Sequence, residues 1–259
     1  MTLFQGLHRS RGVAVALGVA AAVAAVSAVA AVAMGPHQKK PVKLTSTVVA
    51  EYRIVQDKKP MGTERIEKKV FDNNTVVFNI DNELSYGPGV TMKQHCELTV
   101  EEESYFPRTL HITKSVAQPD GQKFDHKIDV EMFSNVAVVT SMLRDQSGSK
   151  RAVVPTGVGI QDLGVLGYLY QTLFWYDKET GGEQRFQYLD PIGVEVHSGD
   201  IKLDPETTIP VLKKKTKVSV FQVEREKMGA ATVWVDAKGV IVRAEMNLFV
   251  YELISKKTS

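Results

Sequence analysis

Residues Ala231–Met246 read "ATVWVDAKGVIVRAEM" and bring a tryptophan, two acids, a lysine and an arginine into one short stretch. That density suggests a reactive site, but the spacing says otherwise. Apolar and polar residues alternate on both sides of Asp236-Ala237-Lys238-Gly239. A repeat of two is that of a β-strand with one buried face, and Gly239 can take the left-handed conformation that short hairpin loops require. Beyond the turn, Val240, Val242, Ala244, Met246, Leu248 and Val250 share one face, with Arg243, Glu245 and Asn247 on the other. The stretch is a hairpin whose charges face away from the core.

The same repeat extends outward through most of the chain. Val42, Leu44, Val48, Ala50, Tyr52 and Ile54 form one alternating set, and Val76, Phe78, Ile80 and Leu84 another. Val90, Met92, Gln94, Cys96, Leu98 and Val100 follow, and then Phe124, His126, Ile128, Val130 and Met132. Turn residues separate the runs: "DNN" at Asp72, "YGPG" at Tyr86, "QPDG" at Gln118, "DQSG" at Asp145 and "SGD" at Ser198. Strands that succeed one another without intervening helices predict a continuous antiparallel meander, not a βαβ fold.

One segment departs from period two. "LGVLGYLYQTLFWY", Leu163–Tyr176, carries no charge, and Leu163, Leu166, Tyr170, Leu173 and Phe174 recur at helical spacing. Asp162 is positioned to cap its start, and Gly181-Gly182 lie beyond its end. The segment is too short to cross a bilayer, so it predicts one buried helix near residues 160–177.

The N-terminus has a different composition. Arg9 and Arg11 precede an uncharged run from Val13 to Ala33 that ends in Ala31-Val32-Ala33, the pattern of an export signal spanning 1–33. A retained membrane anchor is the alternative, weakened by the run's richness in alanine and its single leucine. No cysteine follows the run, so lipid modification there is not expected. Residues 34–41 read as a linker, 42–255 as a single β domain and "SKKTS", Ser255–Ser259, as a frayed tail.

Composition narrows the function. Loss of the first 33 residues removes two basic residues and no acid, leaving 30 of each sign. A chain without net charge is a poor nucleic-acid partner. Cys96 is the only cysteine, which excludes a disulfide framework, and its place in an alternating strand makes it a small core hydrophobe. "PTGVGIQDLG" sits where a dinucleotide loop would, but Asp162 occupies the place of the third glycine and would repel a phosphate.

The six histidines form no close pair or HExxH, so no metal is expected. His126, on an apolar strand face, needs a hydrogen-bond partner. Asp125, Asp129 and Glu131 alternate with a buried set and point to water, and no GxSxG elbow is present. Lys213-Lys214-Lys215 suits the protection of a sheet edge better than a lipid contact. Asn73 in "NNT" fits a glycosylation pattern that matters only in a eukaryotic secretory route.

The strand "TVWVD", its glycine turn and the strand "VIVRAEM" resemble the closing hairpin of bacterial periplasmic sheet proteins in the lipoprotein-carrier (LolA/LolB-like) superfamily, in particular its uncharacterised branch of unknown function. The segment "LGYLYQTLFWYDKETGGEQRFQYLDPIGVEV" is also similar to that branch. The resemblance implies a mainly β fold in which a strongly curved antiparallel sheet, an unclosed barrel, has helical elements over its concave apolar face. Relatives bind acyl chains on that face.

Two functions follow as expectations. The first is an exported, periplasmic, non-catalytic protein that holds a hydrophobic or lipid-like ligand between sheet and helix, lined by Met132, Tyr170, Phe174, Trp175 and Trp234. The second is a cell-envelope component with a filled core that binds another protein. No cofactor or catalytic group is expected. In either case membrane attachment would come only from an uncleaved N-terminal segment.

Overall fold

The protein is described from a computed structural model that covers residues 41–259, except Asp145 and Leu163. The expected signal or anchor at 1–33 and nearly all of the 34–41 linker lie outside the described residues. Val42–Ser259 makes one compact unit.

The alternating runs become strands as the sequence predicts. The first eight are β1 (Leu44–Gln56), β2 (Lys59–Phe71), β3 (Thr75–Gly87), β4 (Val90–Glu101), β5 (Pro107–Ala117), β6 (Lys123–Phe133), β7 (Val136–Leu143) and β8 (Gln146–Val153). After β9 (Gly159–Ile160) comes the helix α1 (Leu169–Trp175). The remaining strands are β10 (Glu183–Asp190), β11 (Glu195–Val211), β12 (Lys214–Arg225), β13 (Ala231–Asp236), β14 (Ile241–Met246) and β15 (Phe249–Thr258).

All fifteen strands belong to one sheet, in the order β8-β7-β6-β5-β4-β3-β2-β1-β15-β14-β13-β12-β11-β10-β9. Among the described residues only β9 and β10 run parallel. The chain therefore starts at the middle of the sheet, meanders to one edge, crosses to the other edge and meanders back to pair β15 with β1.

That crossing dictates the curvature. Fourteen strand spacings of about 4.8 Å would make a flat sheet roughly 67 Å wide. From Val153 to Gly159 the chain has only six Cα steps, a reach of at most about 22 Å. The two edges must come near each other, so the sheet curls into an unclosed barrel. Both edges are protected: β9 is two residues long, and β8 carries Gly148, Lys150 and Arg151.

Inside the curl lies the core. Tyr52, Ile54, Phe78, Ile80, Leu98, Leu110, Val130, Val233, Ala244 and Tyr251 are buried, with Asp81, His95, Asp125 and Glu245 of the same strands on the outer face. A strap that ends at Tyr176 occupies much of the hollow, and its helical part is shorter than expected. A 3-10 turn, Leu166–Tyr168, leads into α1. The N-cap position of that turn falls at Val165, and Asp162 Oδ2 accepts from Gln94 Nε2 (2.8 Å) and lies 3.2 Å from Lys114 Nζ.

The capping acid comes instead from the sheet. The carboxylate of Glu64, fully buried on β2, accepts the backbone N–H groups of Leu166 (3.2 Å) and Gly167 (3.1 Å) and the side chain of Asn82 (2.7 Å). These are the donors that a helix N-terminus leaves unpaired. Gly167 permits the approach, since a Cβ there would stand 2.4 Å from Ile80 Cδ1.

Four more expectations are corrected. "SGD" is not a turn: Gly199 lies inside β11, opposite Phe186 and Arg225, and the ring of Phe186 occupies the space a side chain would need. Leu248 is not on the core face. The chain reverses at Asn247-Leu248, Asn247 has a φ of 54°, and Leu248 is 71% exposed. Lys213-Lys214-Lys215 guards no edge, because it forms the tip and first residues of the interior β11–β12 hairpin. The tail is not frayed. Lys256, Lys257 and Thr258 pair with Ala50, Val49 and Val48, and Ser259 exchanges two backbone hydrogen bonds with Thr47.

Candidate functional site

The strap does not fill the hollow completely. A cleft of about 490 Å³ remains where the α1 side of the strap meets the β1–β2 and β12–β13 walls. Val48, Ala50 and Ile66 form one wall, Ser219, Phe221 and Val235 the other, and Tyr170, Leu173 and Phe174 project from α1. The rim includes Asp236–Val240, the turn of the β13–β14 hairpin. Residues facing the cleft from strands are those that alternation assigns to the inner face.

Its aromatic side chains are held in place. Tyr170 hydroxyl accepts the Ile241 backbone N–H at 3.1 Å and lies 3.3 Å from the Tyr52 hydroxyl, which donates to the Ile241 carbonyl at 2.8 Å. The Tyr170 ring stacks on Phe78 with centroids 5.7 Å apart. Burial raises the pKa of Tyr170 to about 12, so its hydroxyl is neutral. Phe174, although 46% exposed, stacks on Tyr105 with centroids 3.9 Å apart and rings 11° from parallel.

The charges of the cleft are uneven. Lys68, Lys178 and Lys238 line it together with Glu206 and Asp236. Each acid has its own lysine outside the lining: Glu206 pairs with Lys217, and Asp236 with Lys256 at 2.9 Å. Lys68 Nζ donates instead to the Tyr105 hydroxyl at 2.5 Å and lies 5.2 Å from that ring's centre. Among the described residues no carboxylate lies within ion-pair distance of Lys68, Lys178 or Lys238.

Of the five residues expected to line a site, the structure brings Tyr170 and Phe174 together there. Met132 is buried on β6, in the part of the core between sheet and strap, away from the cleft lining. Trp175 turns toward β9 and the β4–β5 loop, donating to the Ser104 carbonyl at 2.6 Å and packing beside Gly159. Trp234 lies on the outer face of β13, opposite Arg243, whose guanidinium is 5.4 Å from its ring centre. Placing Trp234 in the concavity is corrected by parity: Ala231, Val233 and Val235 take the inner positions of that strand.

Lys68 was missed, although its place two residues after Ile66 and four after Glu64 put it on the inner face. Lys178, Lys238 and Phe221 carry no such signal, because only tertiary folding brings their segments together.

A second polar group crosses the inner face farther from α1. His126 Nε2 and Ser141 Oγ are 2.8 Å apart, which gives His126 the partner its position required. Burial, then the nearby Lys114, holds its pKa below the ordinary imidazole value. A serine nucleophile needs its histidine oriented by a third group. Asp162, the buried acid of this region, is engaged by Gln94 and Lys114. Among the described residues no cluster of metal-binding side chains occurs, and no helix is long and apolar enough to cross a membrane.

No family model matches the chain, and none of the curated proteins is similar to it. A solved structure is similar in fold: the crystal structure of a beta-barrel-like protein of a domain of unknown function, DUF1849, from Brucella abortus. The match covers 82% of this chain and 98% of that one, with a TM-score of 0.60 and 9% identity. At that identity the likeness is one of fold. It agrees with the beta-barrel-like, uncharacterised side of the resemblance and does not single out the lipoprotein carriers.

Proposed function

We propose that this is an exported, non-catalytic envelope protein that binds a hydrophobic, lipid-like ligand in the cleft between α1 and the concave face of the sheet. The observation that carries the reading is the cleft itself. Its volume of about 490 Å³ falls within the roughly 300–1,000 Å³ of small-molecule sites, and its walls are mainly apolar with a few fixed polar groups. Phe174 supports it further, being a large ring held half exposed at that cleft by stacking. Export rests on the basic, then alanine-rich segment before residue 34. The non-catalytic reading rests on the sequence, which carries neither a GxSxG elbow nor an HExxH pair.

The test is to isolate the protein from the compartment to which its own N-terminus sends it and to record a native mass, then extract with organic solvent. An extractable lipid-sized adduct that weakens in Phe174→Ala and Phe221→Ala is the expected result. Added acyl compounds should lose about fourfold in affinity per methylene removed, from about 0.8 kcal/mol for each buried methylene. A clean mass with no uptake of any acyl compound would sink this reading. It would favour the protein-binding alternative, to which the packed remainder of the interior is suited.

A further inference from the structure

Charge distinguishes this cleft from the other grooves of the surface. On the outer face of β2–β5, Lys93 pairs with Glu83, and His95 with Asp81. Behind β14 and β15, the groove holding Arg53 and Glu252 is closed by their 2.7 Å pair. In the α1 cleft the two acids are neutralised by Lys217 and Lys256, and three lysines remain without carboxylate partners among the described residues.

Their placement is graded. Lys178 and Lys238 are exposed, whereas Lys68 is half-buried and anchored to Tyr105. An inward-facing lysine on a core strand keeps its charge most easily beside an anion or a polar anchor. Apolar surface within and cationic groups at the opening are complementary to an amphiphile with a negative head.

We infer that the cleft takes an anionic acyl lipid, its chain against Ile66, Leu173 and Phe221 and its negatively charged head group among Lys68, Lys178 and Lys238. The inference rests on the lipid-binding reading and adds the class of head group to it. A zwitterionic or uncharged amphiphile of the same chain would lose the head-group attraction and keep the apolar contact.

The test compares lauroyl lysophosphatidylglycerol, which is anionic, with lauroyl lysophosphatidylcholine, which is zwitterionic. Each is titrated into the full mature protein below its micelle concentration, with displacement of the neutral dye N-phenyl-1-naphthylamine as the readout. The anionic lipid should bind about tenfold more tightly, and that margin should shrink as salt is raised.

Lys178→Gln/Lys238→Gln, changed at exposed positions, should weaken the anionic lipid about fivefold and leave the zwitterionic one within twofold. The corresponding Arg/Arg variant should restore it. Unaltered circular dichroism and melting would show that these variants fold.

Equal affinity for both lipids would overturn the anionic assignment and leave lipid binding intact. So would an anionic preference untouched by the glutamine changes. Failure of both lipids and the dye to bind would remove the underlying reading as well.

Discussion

Glu64 is where one side chain does most to organise the molecule. It is fully buried, caps the strap and holds Asn82, yet burial outweighs these hydrogen bonds and raises its pKa to about 7. A carboxyl that is harder to ionise in the folded state binds more protons there than in the unfolded chain. Its contribution to stability is complete below about pH 4.5, declines as pH rises toward 7 and is lost above that. The interval corresponds to about 3 kcal/mol. Glu64→Gln should therefore gain stability relative to the native protein between pH 4.5 and 7 and hold that difference at higher pH. Urea unfolding of both proteins across this range measures it, and a difference independent of pH would contradict the assignment. Alternation shows that Glu64 points inward. It cannot show what the side chain meets there, because Leu166 and Gly167 lie a hundred residues away in sequence.

Elements were legible where their residues obey a local repeat, and misread where a distant partner decides. Gly199 in "SGD" looks like a turn because Ser, Gly and Asp favour one. It sits in a strand because Phe186 of β10 lies across it. Gly199→Ala should cost about 1–3 kcal/mol of stability by overpacking, read as a lower urea midpoint, since the added carbon would meet the Phe186 ring and the Glu224 carbonyl. The apolar run read as one helix near 160–177 is largely buried, but its α-helix is confined to Leu169–Trp175 behind a 3-10 turn, since Glu64 and Asp162 each meet partners that fix the strap's path. The tail was misread for the same reason. "SKKTS" has the composition of a frayed end, but its backbone pairs with β1 at the centre of the sheet. Removing Ser255–Ser259 should lower stability by about 3 kcal/mol or more, through several lost backbone hydrogen bonds and the Lys256–Asp236 pair. An unchanged melting temperature would mean that these bonds contribute nothing.

At the scale of the whole molecule, one short connection links the fold to the cleft. Five residues, Val154–Val158, join the two edges of a fifteen-stranded sheet, and both Val154 and Val158 are buried. The sequence contains this information, because the meander and the spacing of "VPTGV" together forbid a flat sheet. What it does not contain is where the closed-up sheet leaves space. The cleft draws walls from β1 and β2 on one side of the β1–β15 seam and from β12 and β13 on the other. It exists only while the curl holds. Cutting the chain within the crossing should therefore disturb the interior more than cutting it at an outlying turn. Two circular permutants test this, each joining Ser259 to Val42 through a short flexible linker, a join made feasible by the pairing of Thr47 with Ser259. New termini at Asp120-Gly121, an exposed hairpin turn, should leave melting and dye binding near those of the parent. New termini at Thr156-Gly157 release the constraint that brings β8 toward β9 and frees the strap's entry at Gly159. That permutant should keep its strand content by circular dichroism while its melting temperature and its dye affinity both fall. Equal behaviour of the two would show that side-chain packing holds the curl without the crossing, and the cleft would then owe its shape to the strap alone.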